Sequence, residues 1–210
     1  MSGNGAIFYE TEENRHGLPH DPFKSCVVPR PIGWVSTLSA TNVVNLAPYS
    51  FFNGVASAPH MVMFSSNGPA PQAEKDSLAN CAETGEFVFN MATWDLREAM
   101  NRTSAPVERN VDEFELAGLE KAPSVLVKPP RVKASPIQME CRVHEIVDLP
   151  SDDPGIRNAI VLGRVLGIHI DDGVLTDGLV DMAKVRPIAR LGYMDYTRVD
   201  LVFDMPRPKA

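Results

Sequence analysis

Residues 29–54 can take few shapes. They read Pro-Arg-Pro-Ile-Gly-Trp-Val-Ser-Thr-Leu-Ser-Ala-Thr-Asn-Val-Val-Asn-Leu-Ala-Pro-Tyr-Ser-Phe-Phe-Asn-Gly. Residues 32–38 are rich in β-branched and aromatic side chains, which suits a strand. Residues 39–42 are a cluster of turn formers, and residues 43–46 resume as a second strand, so a hairpin is expected. Pro48 has no N–H to give to a ladder and is excluded from a central strand, so the pattern should break over residues 47–50. Residues 51–54 then set two aromatics beside two turn formers, as a kinked aromatic loop. With hydroxyls at Ser36, Thr37 and Ser50 and an amide at Asn45, such a hairpin suits a flat ligand with a polar edge.

The rest of the chain fits the same kind of architecture. At 210 residues it has room for one substantial core, and its 18 prolines favour short strands and irregular loops over a helical bundle. A net charge of −7 argues against a nucleic-acid binder, whose affinity rests on a basic face. Apolar runs stay short of the roughly 20 residues that span a bilayer, and residues 1–11 lack the pattern of a signal peptide, so a cytoplasmic protein is expected. Cys26, Cys81 and Cys141 are odd in number and widely spaced, which fits reduced core residues rather than a disulfide framework. His16 and His20 read as solvated, with Gly17 and Pro19 between them. Asp171, Asp172, Asp177 and Asp181 read as a solvated acidic rim, so no metal site is expected.

Taken in order, residues 1–22 form an arm, residues 23–200 one domain and residues 201–210 a loose tail. Residues 26–28 suggest a short strand, and residues 61–65 a strand buried on both faces, with a loop over 66–71. Residues 76–84 suggest a helix capped by Asp76 or Ser77 and stopped by Gly85. Residues 87–91 read as a strand and 94–101 as a helical turn or two. Residues 102–130, with Pro106, Pro123, Pro129 and Pro130, are irregular, and residues 110–114 within them are expected to form a loop or short helix that covers a sheet edge. Alternation is clearest over 137–146, where Ile137, Met139, Cys141 and Val143 face the core and Gln138, Glu140, Arg142 and His144 face away. Residues 159–171 read as a long strand bent at Gly163 and Gly167. The fold class is therefore mainly β, a β-barrel with a few short helices.

Pro29-Arg-Pro-Ile-Gly-Trp-Val-Ser-Thr followed by Asn45-Leu-Ala-Pro-Tyr-Ser-Phe-Phe-Asn resembles the flavin reductase-like, FMN-binding split-barrel family, which includes flavoredoxin-like proteins. Lys75-Asp76-Ser77 with Asn80, Gly85-Glu86-Phe87-Val88 with Asn90, and Arg190-Leu191-Gly192 match it too, and the matches span residues 20–196. The resemblance narrows the barrel to an FMN-binding split barrel with a Greek-key core.

It also implies a function. Arg30, Trp34, Val35, Ser36, Thr37, Asn45, Ala47, Pro48, Tyr49, Ser50, Phe51, Lys75, Ser77, Asn80 and Arg190 stand at the matched positions and become the candidate FMN contacts. Neither a dinucleotide fingerprint nor a phosphate loop is present. Lys75 and Ser77 at a helix start are the alternative phosphate site. His169, in a Gly-x-His context, matches a histidine near the place where nicotinamide stacks and is the candidate for nicotinamide positioning. The implied activity is hydride transfer from NADH or NADPH to flavin, with electrons passing to oxygen, a partner monooxygenase or another acceptor. A homodimer with FMN near its interface is expected, and selectivity is expected in residues 102–130. Two alternatives remain open at this point: an FMN-binding electron carrier with no nicotinamide site, and a flavin-free binding or structural dimer.

Overall fold

The computed structural model describes residues 5–69 and 75–208. In chain order the elements are α1 (Phe23–Cys26), β1 (Arg30–Pro31), β2 (Gly33–Leu38), β3 (Val44–Tyr49), β4 (Phe52–Ser57), β5 (His60–Pro69), α2 (Asp76–Thr84) and β6 (Glu86–Met91). There follow α3 (Arg97–Arg102), α4 (Glu113–Ala117), β7 (Lys121–Ala122), β8 (Arg131–Val132), β9 (Ile137–Leu149) and β10 (Ile156–Ile170). The chain closes with β11 (Leu175–Thr176), β12 (Leu179–Val180), α5 (Met182–Val185), β13 (Ile188–Arg190) and β14 (Tyr196–Arg198).

Seven of these strands form one antiparallel sheet in the order β3-β2-β6-β9-β10-β5-β4. Its two outermost strands, β3 and β4, are successive in the chain, with only Ser50 and Phe51 between them. The sheet therefore has to curl until its edges meet. Tyr49 of β3 lies 4.8 Å from Phe64 of β5 between ring centroids, in one shared core, while the Ser65 N–H bond to the Phe51 carbonyl at 2.8 Å extends the β4–β5 ladder. Strands β2 to β5 thus follow one another around the barrel, and β6 returns through α2 to lie beside β2, which is a Greek-key connection. A smaller sheet, β1-β13-β14, stands beside it.

Two apolar clusters explain why β2 reads as almost continuously buried. Inside the barrel, Val35, Phe64, Phe87, Phe89, Cys141 and Val161 pack together, with Leu78 and Cys81 of α2 joining them. Outside it, Trp34 and Leu46 pack with Met100 of α3, Phe114 of α4 and Val132 of β8. Alternate residues of one strand thus serve two cores.

Several expectations change once the topology is known. Strand β3 runs through Pro48 instead of breaking at residue 47, because β3 is an edge strand. The Leu46 N–H points away from β2 and is taken by the Glu113 carboxylate at 2.9 Å. Two residues on, Pro48 occupies the next outward position, where it has no N–H to leave unpaired. Phe52 opens strand β4 rather than ending a loop, and β5 extends to Pro69 where a loop over 66–71 was expected; residues 70–71 lie outside the described residues. Residues 23–26 form one helical turn instead of a strand over 26–28, and Cys26 is exposed, unlike Cys81 and Cys141. Helix α3 starts at Arg97, three residues after the expected point. Helix α2 ends at Gly85 in the left-handed region as expected, but neither Asp76 nor Ser77 caps its start.

The largest correction concerns the polar face of β9. Gln138 and Glu140 are fully enclosed, because the proline-rich residues 123–132 lie over them. A segment with Pro123, Pro129 and Pro130 cannot pair as a regular strand, so buried side chains satisfy its backbone instead. The Ser36 hydroxyl donates to the Pro130 carbonyl at 2.5 Å, and Asn90 Oδ1 accepts from the Val132 N–H at 2.7 Å. Glu140 accepts from the N–H groups of Val125, Leu126 and Val127.

The bend of β10 follows Gly163 and Gly167, where its register against β9 shifts. A Cβ on Gly163 would stand 2.3 Å from Cζ of the fully buried Phe87. Gly163→Ala is therefore expected to lower stability by about 1–3 kcal/mol, the usual cost of overpacking. Phe87→Leu in the same chain should recover part of that loss in urea denaturation. Additive effects of the two changes would rule out the clash as the cause.

Candidate functional site

Strand β3 leaves one edge of the sheet open, and a groove follows it. One end of the groove is a cavity of about 380 Å³ lined by Asn45, Ala47, Pro48, Tyr49, Lys75 and Ser77. The adjoining cavity, about 570 Å³, is lined by Lys24, Arg30, Pro48, Ser50 and Arg190 among others. Pro48 and Ser104 border both, so the two are halves of one channel.

At the first end, β5 and the start of α2 place Lys75. Its stem lies against Gly68, where a Cβ would come within 3.1 Å of Lys75 Cγ, and its ammonium sits 5.6 Å from the Tyr49 ring centroid. Loss of surrounding water lowers its proton affinity, and the charge of Lys24 lowers it further. Among the described residues Lys75 has no acid partner, and it is the N-cap of the nine-residue α2, whose first residues Asp76 and Ser77 line the same cavity. Asp76 lines this end as well, but its carboxylate is 3.6 Å from Arg109 Nε. Desolvation raises the Asp76 pKa, against the opposing pull of Arg109. Ser77 is buried and accepts from Asn45 Nδ2 at 2.8 Å, and the same amide reaches Thr37 Oγ1 at 3.1 Å. The Tyr49 hydroxyl is buried inside the barrel close to Ser66 and Ser77, and burial raises its pKa.

At the other end, Arg30 is almost fully buried and its guanidinium is committed to the backbone. It donates to the carbonyls of Lys24, Val27 (2.7 Å) and Leu191 (2.8 Å), tying α1 and the end of β13 to the sheet. Its Nε has no partner among the described residues. Desolvation lowers its pKa, and so does the nearby charge of Arg190. Arg190 donates to the Tyr196 hydroxyl at 2.5 Å and also to the Tyr193 carbonyl.

Of the residues singled out from sequence, the channel brings together Arg30, Asn45, Ala47, Pro48, Tyr49, Ser50, Lys75, Ser77 and Arg190. Others lie behind its wall. Val35 belongs to the barrel core, and Trp34 is enclosed with its indole N–H donating to Thr103 Oγ1 at 2.9 Å. Ser36 holds Pro130, while Thr37 accepts from Asn80 Nδ2 at 3.0 Å. Phe51 packs under Arg30, 5.7 Å from the ring centroid to Cζ.

His169 lies elsewhere. Its Nε2 is 2.6 Å from Glu140 Oε1, in a recess with Arg131, Lys133 and Gln138 that shares no lining residue with the channel. Burial opposes ionisation of Glu140, yet the hydrogen bonds from His169 and from the Val125 and Leu126 N–H groups outweigh it and hold the carboxyl below the usual range. Asp171 and Asp181 each cap a helical turn, accepting from the Gly173 and Ala183 N–H groups respectively.

Residues 103–107, with Glu113, close the channel over β3, and His20, Tyr193 and Met194 border its far end. The sequence marked His20 only as solvated and set Tyr193 just after the Arg190-Leu191-Gly192 match that suggested a pocket wall, while residues 103–107 and Met194 carried no site reading of their own. The only signal for the first group was hydroxyl-bearing Thr103 and Ser104 just before Pro106, in a stretch that no periodicity claimed.

The chain is an antiparallel barrel with a channel along edge strand β3, with Lys75 beside Asp76 and Glu113 at one end and Lys24, Arg30 and Arg190 at the other. The chain belongs to the flavin reductase like domain family, whose model matches residues 25–189. An uncharacterized protein of Aquifex aeolicus (strain VF5) is 39% identical over 82% of this chain and 85% of its own length. Among solved structures, nitrilotriacetate monooxygenase component B from Bacillus cereus superimposes with a TM-score of 0.87 at 28% identity, covering 97% of this chain and 100% of that one. The 2-nitrobenzoate 2-nitroreductase of Pseudomonas fluorescens gives a TM-score of 0.77 at 26% identity, over 89% and 88% of the two chains.

Proposed function

We propose that this protein holds FMN in the channel along β3 and works as a flavin reductase-like oxidoreductase that takes hydride from NADH or NADPH. The observation that carries the reading is the first end, where Lys75, without an acid partner among the described residues, stands beside the start of α2. A terminal phosphate suits it. Arg30 Nε, buried at the other half without a partner among the described residues, is a further group that a polar ligand would satisfy. FMN fits these donors, whereas a neutral flavin would leave Lys75 without a partner.

Bound flavin supplies the redox chemistry, accepting a hydride from the nicotinamide and giving electrons onward. The chain's part is to bind and orient. In this reading Lys75, Lys24 and α2 hold the phosphate, and Asn45 and Ser77 fix that end of the channel. The outward edge of β3 from Ala47 to Ser50 lies along the ligand, and Arg190 sets the far wall. Residues 103–107 keep water from one side and carry the selectivity expected of residues 102–130. The likeness to a monooxygenase component supports a monooxygenase as the class of acceptor. Three unpaired cysteines suit a reducing, cytoplasmic setting.

The test is the visible spectrum of the purified chain with FMN, before and after anaerobic NADH or NADPH. Bleaching of the flavin band within seconds is expected. Reduction that takes many minutes with either nucleotide would turn the reading to an electron carrier.

His169 enters this reading through a second copy of the chain. A role at the nicotinamide needs a homodimer that lays the histidine recess of one copy against the channel of the other. Exposed Leu201, Phe203 and Met205 near the C-terminus are apolar surface for such a dimer to cover. His169→Ala would then slow flavin reduction in stopped flow and leave FMN affinity unchanged. A flavin-loaded monomer in sedimentation at micromolar concentration removes that role.

A further inference from the structure

We propose that the recess between α3 and the β13–β14 hairpin takes the adenosine 2′-phosphate end of NADPH, so that NADPH is the preferred donor. This rests on the flavin reading above. The recess is a separate cavity of about 390 Å³, within the usual range for small-molecule sites. Its floor is apolar, with Met100 and Ile188 both buried, and Trp94 and Tyr196 form its aromatic walls. Arg97, Arg190 and Arg198 stand around it.

Two of these arginines are set by the indole. Arg97 Cζ lies 4.0 Å and Arg198 Cζ 4.8 Å from the Trp94 ring centroid. Arg97 also donates to the Trp94 carbonyl at 2.7 Å. Stacking and hydrogen bonding hold the planar forks in place before any ligand arrives, and a guanidinium fork matches a phosphate in a bidentate way. Glu98 is the one carboxylate on the lining, 3.5 Å from Arg97 Nε, and Asp200, off the lining, pairs with Arg198. Three guanidiniums against these two carboxylates leave a cationic site.

The floor and the rim ask for different parts of one ligand. Apolar and aromatic walls suit a flat heterocycle, which also stacks on guanidinium planes. The arginines suit a phosphomonoester. Position supplies the third requirement, because Asn101, Arg190, Met194 and Tyr196 line this recess and also the far half of the flavin channel. A ligand seated here can therefore extend into the channel past Arg190. NADPH has all three features: an adenine, a 2′-phosphate, and a pyrophosphate arm leading to the nicotinamide. NADH lacks the phosphate that Arg97 and Arg198 would hold.

Calorimetric titration of the FMN-loaded full chain with adenosine 2′,5′-bisphosphate and with 5′-AMP tests this. The bisphosphate should bind at least about tenfold tighter, since charge-assisted hydrogen bonds to one phosphate are worth that much. Arg97→Gln with Arg198→Gln should erase the difference while FMN affinity, read by flavin fluorescence, stays the same. Arg198→Lys keeps the charge without the fork and should fall between the two. In steady state, KM for NADPH should rise in the double variant with kcat held, and KM for NADH should not move. Equal affinity for the two nucleotides in the wild type, or a preference that survives the double change, overturns the assignment. If FMN itself fails to bind, the flavin reading falls, and the same titration on the flavin-free chain still decides the recess.

Discussion

Glu140→Ala is expected to lower the free energy of unfolding by about 3–5 kcal/mol, the cost of removing one partner from a buried charged network. Glu140 is wholly enclosed, accepts from three successive backbone N–H groups over residues 125–127, and meets His169 on its other side. Taking the carboxylate away leaves those donors without water or partner, and they have no strand to fall back on. For a domain whose whole stability is of order 5–15 kcal/mol, that is a large share. Urea denaturation should show a lower midpoint at similar slope. Glu140→Gln keeps one acceptor but sets an NH₂ against donors, so it should lose less than alanine and remain folded. The pH dependence separates the charge from the packing. Because the folded carboxyl is held below its ordinary value, its contribution is complete above that value, about pH 4.3, and is lost as pH falls through the depressed folded one. The glutamine variant should lack this acid component. A midpoint shift worth less than about 1 kcal/mol in Glu140→Ala would mean that residues 124–129 are held by something else.

The same residue illustrates what the chain let one read in advance. Alternation over residues 137–146 identified β9 and its inward face correctly, since period-two patterning depends only on neighbours in sequence. It sent Gln138 and Glu140 to solvent, because only tertiary structure lays residues 123–132 over them. The proline content of that segment was a usable clue: backbone that cannot pair as a strand must find side-chain partners. Trp34, Val35 and Ser36 stand off the lining of the channel for a related reason. They lie in the stretch most like a known family, but β2 has a strand on each side, so Trp34 and Val35 pack into two cores and Ser36 holds Pro130. Residues of the open edge behaved differently. Asn45, Ala47, Pro48 and Tyr49 share one cavity with Lys75 and Ser77 because β3 has no strand beyond it. Pro48 carried that information all along, as a residue that an edge tolerates and an interior strand does not.

Lys75→Ala is expected to weaken FMN binding about tenfold to a hundredfold and to leave riboflavin nearly unaffected. The two flavins differ only in the phosphate, so the comparison isolates the end of the ligand that Lys75 would meet. One charge-assisted contact to a phosphate is worth about 1.5–3 kcal/mol, and each 1.4 kcal/mol is a factor of ten. Lys24→Ala should act in the same direction and less strongly, because Lys24 borders the adjoining half of the channel. Raising the salt concentration should narrow the gap between FMN and riboflavin in the wild type and hardly change it in Lys75→Ala. Ser77 is a poor alternative origin for a phosphate-specific loss, since its hydroxyl already accepts from Asn45 and sits fully buried. Fluorescence titration of the two flavins against the two proteins measures all four constants. Equal losses for FMN and riboflavin would move the phosphate away from α2. The other cationic end of the channel, around Arg190, would then have to hold it, and the ligand would lie in the reverse direction along β3.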